Sequence, residues 1–262
     1  MTVADEFRQD HEEWRASRMA KLAAETGWLN LVGRWWITPG VVSIGSGARC
    51  DIRLETGPEW LGLLTLNADD TGLFQPTHGD PVVLDRAAGV FNWRAGRFLL
   101  EITTLNALRA LRIRDAASSV AAESVPIDAF PLDTALRVTA RWEALPRPMD
   151  LTLDTIIGIP TRVPVTHVAR LTLANHPMVL LPTYGTAGRP QFVFRDLTSL
   201  DDTYAKGRFV FGEEVTEDGV VIDFNRAINP PCAFTEHAVC PLPPRENLFR
   251  ARIEAGERRL PD

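Results

Sequence analysis

The chain has 262 residues, enough for one large domain or two small ones, and 45% of them are hydrophobic against 24% charged. Those proportions belong to globular proteins and exclude the disordered, collagenous and membrane-embedded classes. With 28 Lys and Arg against 34 Asp and Glu, the formal net charge is −6 and no nucleic-acid partner is expected; no apolar run reaches membrane-spanning length, so no membrane partner is expected either.

The opening Met1-Thr2-Val3-Ala4-Asp5-Glu6 has no apolar leader, and three cysteines (Cys50, Cys232, Cys240) are too few for a disulfide framework. Both features point to a reducing, cytoplasmic setting. Residues 5–25 read as a helix. Phe7, His11, Trp14, Arg18 and Leu22 recur at three- or four-residue spacing, acids come early and bases late, and Thr26-Gly27 supplies the stop. The expected organisation is an amino-terminal helical arm, 1–27, followed by a single β-rich domain, 28–262.

From Trp28 the pattern shortens to strands at 35–37, 41–44, 51–54, 63–66, 81–84 and 98–102. They are separated by turn residues at Pro39-Gly40, Gly45-Ser46-Gly47, Asp69-Asp70-Thr71-Gly72 and His78-Gly79-Asp80. The stretch 105–115 mixes helix-favouring alanines and leucines with a strand-like alternation at Leu111-Arg112-Ile113-Arg114, and its second half reads as strand. Residues 116–123 are small and polar and 125–131 are broken by prolines. Two readings of this joint stand: a boundary between sub-regions 28–115 and 126–262, or a long surface loop within one domain. Further strands are expected at 136–143, 151–157, 163–173, 178–182, 191–194, 208–211 and 220–224, and 254–259 reads as a charged, solvated terminus. The expected fold is therefore mainly β, an antiparallel sandwich or partly closed barrel, with an N-terminal helix and a proline-rich C-terminal segment carrying Pro230, Pro231, Pro241, Pro243 and Pro244.

The informative stretch begins at Phe194-Arg195-Asp196-Leu197-Thr198 and continues through Thr203-Tyr204-Ala205-Lys206-Gly207-Arg208-Phe209. Two further blocks follow, Asp223-Phe224-Asn225-Arg226-Ala227-Ile228-Asn229-Pro230-Pro231-Cys232-Ala233-Phe234 and Cys240-Pro241-Leu242-Pro243-Pro244-Arg245-Glu246-Asn247. These blocks resemble the carboxyl-terminal signature of a bacterial family catalogued as domain of unknown function 1684, approximately F-x-D-x-T with TY-x-x-GRF, then DFNRA-x-NPPC-x-F and CPLPP-x-N. Weaker echoes at Trp14-Arg15, at 27–33, at Phe130-Pro131-Leu132-Asp133 and at Arg137-Val138-Thr139-Ala140 extend the resemblance over nearly the whole chain. The resemblance implies a shared site but no established activity, substrate or cofactor.

Read from the residues, a strand through 220–224 places Val221, Asp223 and Asn225 on one face, with Arg226 just beyond. That grouping can hold a carboxylate or phosphate through the guanidinium fork, or it can satisfy backbone groups of the Asn229-Pro230-Pro231 loop. Asp196, Thr198, Asp201 and Asp202 offer oxygens for a hard cation, but Thr198-Ser199-Leu200-Asp201 fits a helix cap better. Tyr204 and Arg208, four apart, fall on one side of a short helical turn. Cys232, His237 and Cys240 make a C-x4-H-x2-C set that lacks a fourth zinc ligand, so no metal and no cofactor are expected, and packed thiols are the plainer reading. A Cys232 nucleophile with His237 as its base is the reactive alternative. In the amino half, residues 36–54 resemble the opening strands of a forkhead-associated phosphopeptide-binding domain, but Ser46 stands where that function requires an arginine.

The leading functional expectation is a small, anionic ligand bound in a polar pocket beneath the proline-rich segment. Asp196, Tyr204, Arg208, Asp223, Asn225, Arg226, Asn229, Cys232 and His237 are the candidate ligand-binding residues. The alternatives are a hydrolytic enzyme using Asp223 or Asp196 as base with Arg226 or Arg208 stabilising developing charge, and a structural clasp with no ligand. No motif specifies an oligomeric state.

Overall fold

The structure is a computed structural model and describes residues 3–118, 125–173 and 176–261. Met1, Thr2 and much of the small, polar joint expected at 116–123 lie outside the described residues. The chain divides into two compact units, Met1–Ser17 with Val125–Asp262, and Arg18–Ser124. No helix among the described residues is long and apolar enough to cross a membrane.

The expected helix is α1, Val3–Ala23, with acids in its first turn and Lys21 in its last. Its covered positions follow the expected stripe: His11 and Leu22 are buried while Glu12, Glu13, Arg15 and Ala16 are exposed. Asn30 closes the carboxyl end, donating from its amide to the carbonyls of Ala24 at 2.8 Å and Ala23 at 3.2 Å.

Among the described residues, the unit Arg18–Ser124 contains nine strands: β1 Leu31–Ile37, β2 Gly40–Gly45, β3 Ile52–Arg53, β4 Gly62–Leu66, β5 Thr71–Pro76, β6 Val82–Asp85, β7 Asn92–Ala95, β8 Phe98–Leu105 and β9 Leu108–Asp115. They form two sheets, β1-β9-β8-β7 and β3-β2-β4-β5-β6, whose inward side chains share one core. Phe74 of one sheet meets Trp93 of the other with ring centroids 5.4 Å apart, the geometry of a sandwich. Two strands of this unit escaped the sequence reading. Thr71-Gly72 opens β5 instead of completing a turn, because Asp70, at φ 63, reverses the chain earlier, and Asp69 holds the bend by accepting from the Thr71 hydroxyl at 2.7 Å. Strand β5 carries both a glycine and a proline, so pairing with β4 and β6 overrides its weak local preference. Strand β7 is four residues long, too short for its alternation to register.

The other unit is built on one antiparallel sheet of seven strands, ordered β12-β11-β10-β16-β15-β14-β13. Here β10 is Arg137–Leu153, β11 Thr161–Leu173, β12 His176–Leu180, β13 Tyr184–Thr186, β14 Arg189–Phe194, β15 Arg208–Glu213 and β16 Gly219–Asp223. The strands expected at 136–143 and 151–157 are one, β10. Pro146 and Pro148, which cannot donate to a ladder, sit where its register with β11 shifts between Ala144 and Met149. One face of the sheet carries Trp142, Leu171, Leu180, Phe192, Phe194, Val210 and Ile222, and its cover comes from the irregular carboxyl segment, through Phe224, Ala227, Phe249, Ile253 and Ala255. The terminus expected to be solvated is therefore partly core: Ala255, Gly256 and Glu257 are buried. Gly256, at φ 75, passes so close to Ala227 that a Cβ would lie 2.4 Å from its carbonyl oxygen, which leaves no room for another residue.

Candidate functional site

The candidate residues do not gather into one pocket; the structure sorts them into three hydrogen-bonded groups. The first is centred on Arg208, which opens β15 and is only 1% exposed. Its Nη2 donates to the Ile253 carbonyl at 3.0 Å and to Asp196 Oδ1 at 3.2 Å, and its Nη1 donates to the Ala255 carbonyl. Asp196 is filled from the other side, accepting the Ile253 amide at 2.6 Å and the Thr198 hydroxyl at 2.9 Å. Burial pushes the Arg208 pKa down while the Asp196 carboxylate opposes it, and a guanidinium stays charged in proteins regardless. The group thus fastens the carboxyl segment to the sheet. Asn229 does the same nearby, its amide N–H donating to Glu257 Oε2 at 2.6 Å and its side chain to the Arg258 carbonyl at 2.7 Å.

Two local expectations change here. The turn at Leu197–Leu200 is a single 3-10 turn capped by Asp196, which accepts from the Thr198 amide, and Thr198 itself is a buried donor to that cap. Tyr204 and Arg208 do not share a helical turn. Gly207, at φ 110, donates its amide to the Tyr204 carbonyl at 3.0 Å and turns the chain into β15.

The second group surrounds Asp223. Strand β16 ends at this residue, and Phe224–Arg226 form a 3-10 turn capped by its carboxylate, so Asn225 does not continue the strand face. Asp223 Oδ1 accepts from the Asn225 amide at 3.0 Å and side chain at 2.9 Å. The Asn225 side chain also donates to the Asp133 carbonyl at 2.9 Å and accepts the Asp133 amide at 3.0 Å. Arg226 faces three acids: Glu213 at 3.1 Å, Asp223 at 3.7 Å, and Asp10 of α1. Burial pushes the Asp223 carboxyl up from its ordinary range, against the pull of Asn225, Arg226 and Arg137.

His11, buried on α1 and 5.2 Å from the Trp14 ring, adjoins this group, and burial, Arg15 and Arg226 all lower its pKa from 6.5. A histidine held neutral by the fold stabilises it fully above the unfolded-state pKa, and that contribution is lost as pH falls through the depressed folded value. The unfolding free energy is therefore expected to decline as pH falls below 6.5, and His11→Phe to flatten that decline in urea titrations; equal slopes would show that His11 does not supply it.

The third group is Tyr204, Cys232 and Cys240. The Tyr204 hydroxyl donates to the Cys232 carbonyl at 3.0 Å, and its pKa is pushed up by burial and the cysteine contact. The Cys240 side chain, with Tyr204 and the Lys206 charge, brings the Cys232 thiol down to about 7 against the effect of burial. His237 is half-buried, with its amide on the Thr235 hydroxyl at 3.2 Å. Among the described residues, no three His, Cys, Asp or Glu side chains gather in a group able to hold a metal ion.

A fourth feature escaped the sequence reading. Arg195, Arg245 and Arg250 line one cleft of about 590 Å³, together with Leu197, Leu200 and Leu248. Beyond β14 the chain pairs in parallel with the carboxyl segment: the Arg195 amide donates to the Asn247 carbonyl at 3.0 Å, Phe249 to Arg195 at 2.8 Å, and Leu197 to Ala251 at 3.0 Å. Asn247, fully buried, anchors this ladder. Its side chain accepts the Leu181 amide at 2.8 Å and donates to the carbonyls of Leu181 at 2.9 Å and Val193 at 2.8 Å. The three arginines are exposed, and among the described residues no acid pairs with any of them. Arg195 and Arg245 occupy positions that the quoted motifs leave open, so the motifs carry no signal for them.

The family described as "Protein of unknown function (DUF1684)" matches residues 125–258, half of the chain. The chain belongs to this family. The match takes in every candidate residue above but not the amino-terminal echoes at Trp14-Arg15 and 27–33. Among solved structures, the chain is similar to an uncharacterized protein of Haloarcula marismortui determined by solution NMR. The two are 26% identical over 50% of this chain and 75% of the other, with a TM-score of 0.42. No curated protein matches.

Proposed function

We propose that this DUF1684 protein binds a small anion-bearing ligand, a carboxylate or phosphate with an apolar portion, in the cleft lined by Arg195, Arg245 and Arg250. The observation that carries this reading is that three exposed arginines line one cavity and, among the described residues, none of them pairs with an acid, in a chain of net charge −6. Like charges lining one cleft favour an anion between them, and the planar fork of arginine suits two-oxygen recognition. Leu197, Leu200 and Leu248 add apolar wall, with Leu200 80% exposed. In this reading Asp196, Arg208 and Asn229 are positioning residues that fasten the segment bearing two of the arginines. Binding is better supported than hydrolysis because Asp196, the one acid lining the cleft, is already occupied by Arg208, Thr198 and the Ile253 amide.

Calorimetric titration of the full chain with octanoate and with phenyl phosphate tests the proposal. One of them is expected to bind saturably, with affinity falling about tenfold in Arg195→Ala or Arg250→Ala, the value of one charge-assisted hydrogen bond. The absence of saturable binding by either probe, or affinities unchanged in both variants, would overturn it.

A further inference from the structure

Leu248, Phe249 and Arg250 line a second cavity as well as the arginine cleft, so the two meet along this stretch of the carboxyl segment. The second cavity holds about 440 Å³ and lies beside β12, an edge strand of the seven-stranded sheet. Pro177, Met178, Val179 and Ala251 complete its apolar wall, and His176 and Glu246 are its other members. Pro177 is exposed and Val179 and Ala251 are half-buried, so part of this wall faces water next to Arg250, which pairs with no acid among the described residues. Apolar surface beside an unpaired cation complements an amphiphile with an acid head. A third cavity, of about 410 Å³, shares Arg195, Arg245 and Leu248 with the cleft but adds Thr152, Asp154 and Glu246, a more polar lining than the one beside β12.

We propose that the ligand is an unbranched aliphatic acid, a fatty acid in its simplest form, whose carboxylate lies among Arg195, Arg245 and Arg250 and whose chain runs past Leu248 into the cavity beside β12. The proposal rests on the anion reading above and adds to it where the apolar portion lies and that this portion is a chain rather than a ring. A slender chain can occupy both cavities, whereas a ring held at the arginines leaves the second apolar wall in water. Phe249 supplies the one phenyl ring among the residues lining the two cavities, and at 8% exposed it offers a planar ligand no face to stack on. The Met178 thioether, unbranched and polarizable, adapts instead to the contour of an alkyl chain.

Calorimetric titration of the full chain with hexanoate, octanoate and decanoate reads the chain. Burying a methylene completely raises affinity roughly fourfold and burying it against a half-open wall about twofold, so decanoate is expected to bind about 15-fold tighter than hexanoate. Val179→Asn makes this wall polar without adding charge; it should leave hexanoate affinity within about twofold of the parent and cut the rise to about fourfold or less. Pro177→Asn, at an exposed position, repeats the test if Val179→Asn fails to fold. Thr152→Trp, which puts a bulky side chain in the third cavity, should leave the series unchanged. Equal affinity for the three acids, an undiminished rise in the asparagine variant, or loss of the rise in Thr152→Trp would overturn the proposal. Saturable, Arg250-dependent binding of phenyl phosphate with no saturable binding of any alkanoate would also overturn it while leaving the anion site standing, and saturable binding of neither would remove both.

Discussion

Replacing Arg208 by leucine is expected to lower the unfolding free energy by about 3–5 kcal/mol, the cost of leaving one member of a buried ion pair without its partner. Asp196 and Arg208 have side chains only 1% exposed, so solvent cannot compensate the stranded carboxylate, and the carbonyls of Ile253 and Ala255 lose their donors as well. The segment from Ile253 to Arg258 should then lift from the sheet. Urea unfolding measures the stability, and limited trypsin digestion reports release through faster cleavage after Arg252. Asp196→Asn combined with Arg208→Leu should recover part of the loss, because the double variant buries no charge. Single variants within about 1 kcal/mol of the parent would show that the pair is not the clasp described here.

Asn247→Leu is expected to cost on the order of 3 kcal/mol, because it leaves one buried N–H and two buried carbonyls unpaired for the gain of one apolar side chain. The groups stranded are the Leu181 amide, the Leu181 carbonyl and the Val193 carbonyl. Asn247→Asp should be no milder. A carboxylate can accept from the Leu181 amide but faces the two carbonyls with no proton to give. Amide hydrogen exchange should quicken at Leu181 and at Phe249, which pairs with Arg195 on the ladder next to Asn247, and anion binding in the cleft should weaken with it. Unchanged protection at both amides would show that the ladder stands without this side chain.

These residues illustrate unequal legibility. Asp196, Arg208, Asp223, Asn225, Arg226 and Asn229 stood out in the sequence as polar members of the motif blocks, and five of them are buried in the structure. That pattern marks residues with fixed partners but does not say who the partners are. Arg208 takes its carbonyls from Ile253 and Ala255, 45 and 47 residues away, and no local spacing encodes that distance. The terminus at 254–259 reads as charged and solvated because its alternation of small and charged residues is equally that of a segment with one covered face. The arginine cleft had no legible signal, since Arg195 reaches Arg245 and Arg250 only through the parallel ladder.

What the amino-acid sequence by itself determined is whatever depends on neighbours a few residues apart. The stripe of α1, the mainly β character, most of the strands and the kinship of the carboxyl half with DUF1684 all belong here, because backbone periodicity and turn chemistry act locally. Only the tertiary structure decided which strands share a sheet and that β10 runs through its two prolines. It also decided that the candidate residues separate into three groups, that Ile253 and Ala255 help cover the core, and that three arginines share one cleft. These outcomes depend on long-range pairing and on the burial of charges against distant backbone groups, whose free energies are set by the whole packed unit rather than by any short stretch of chain.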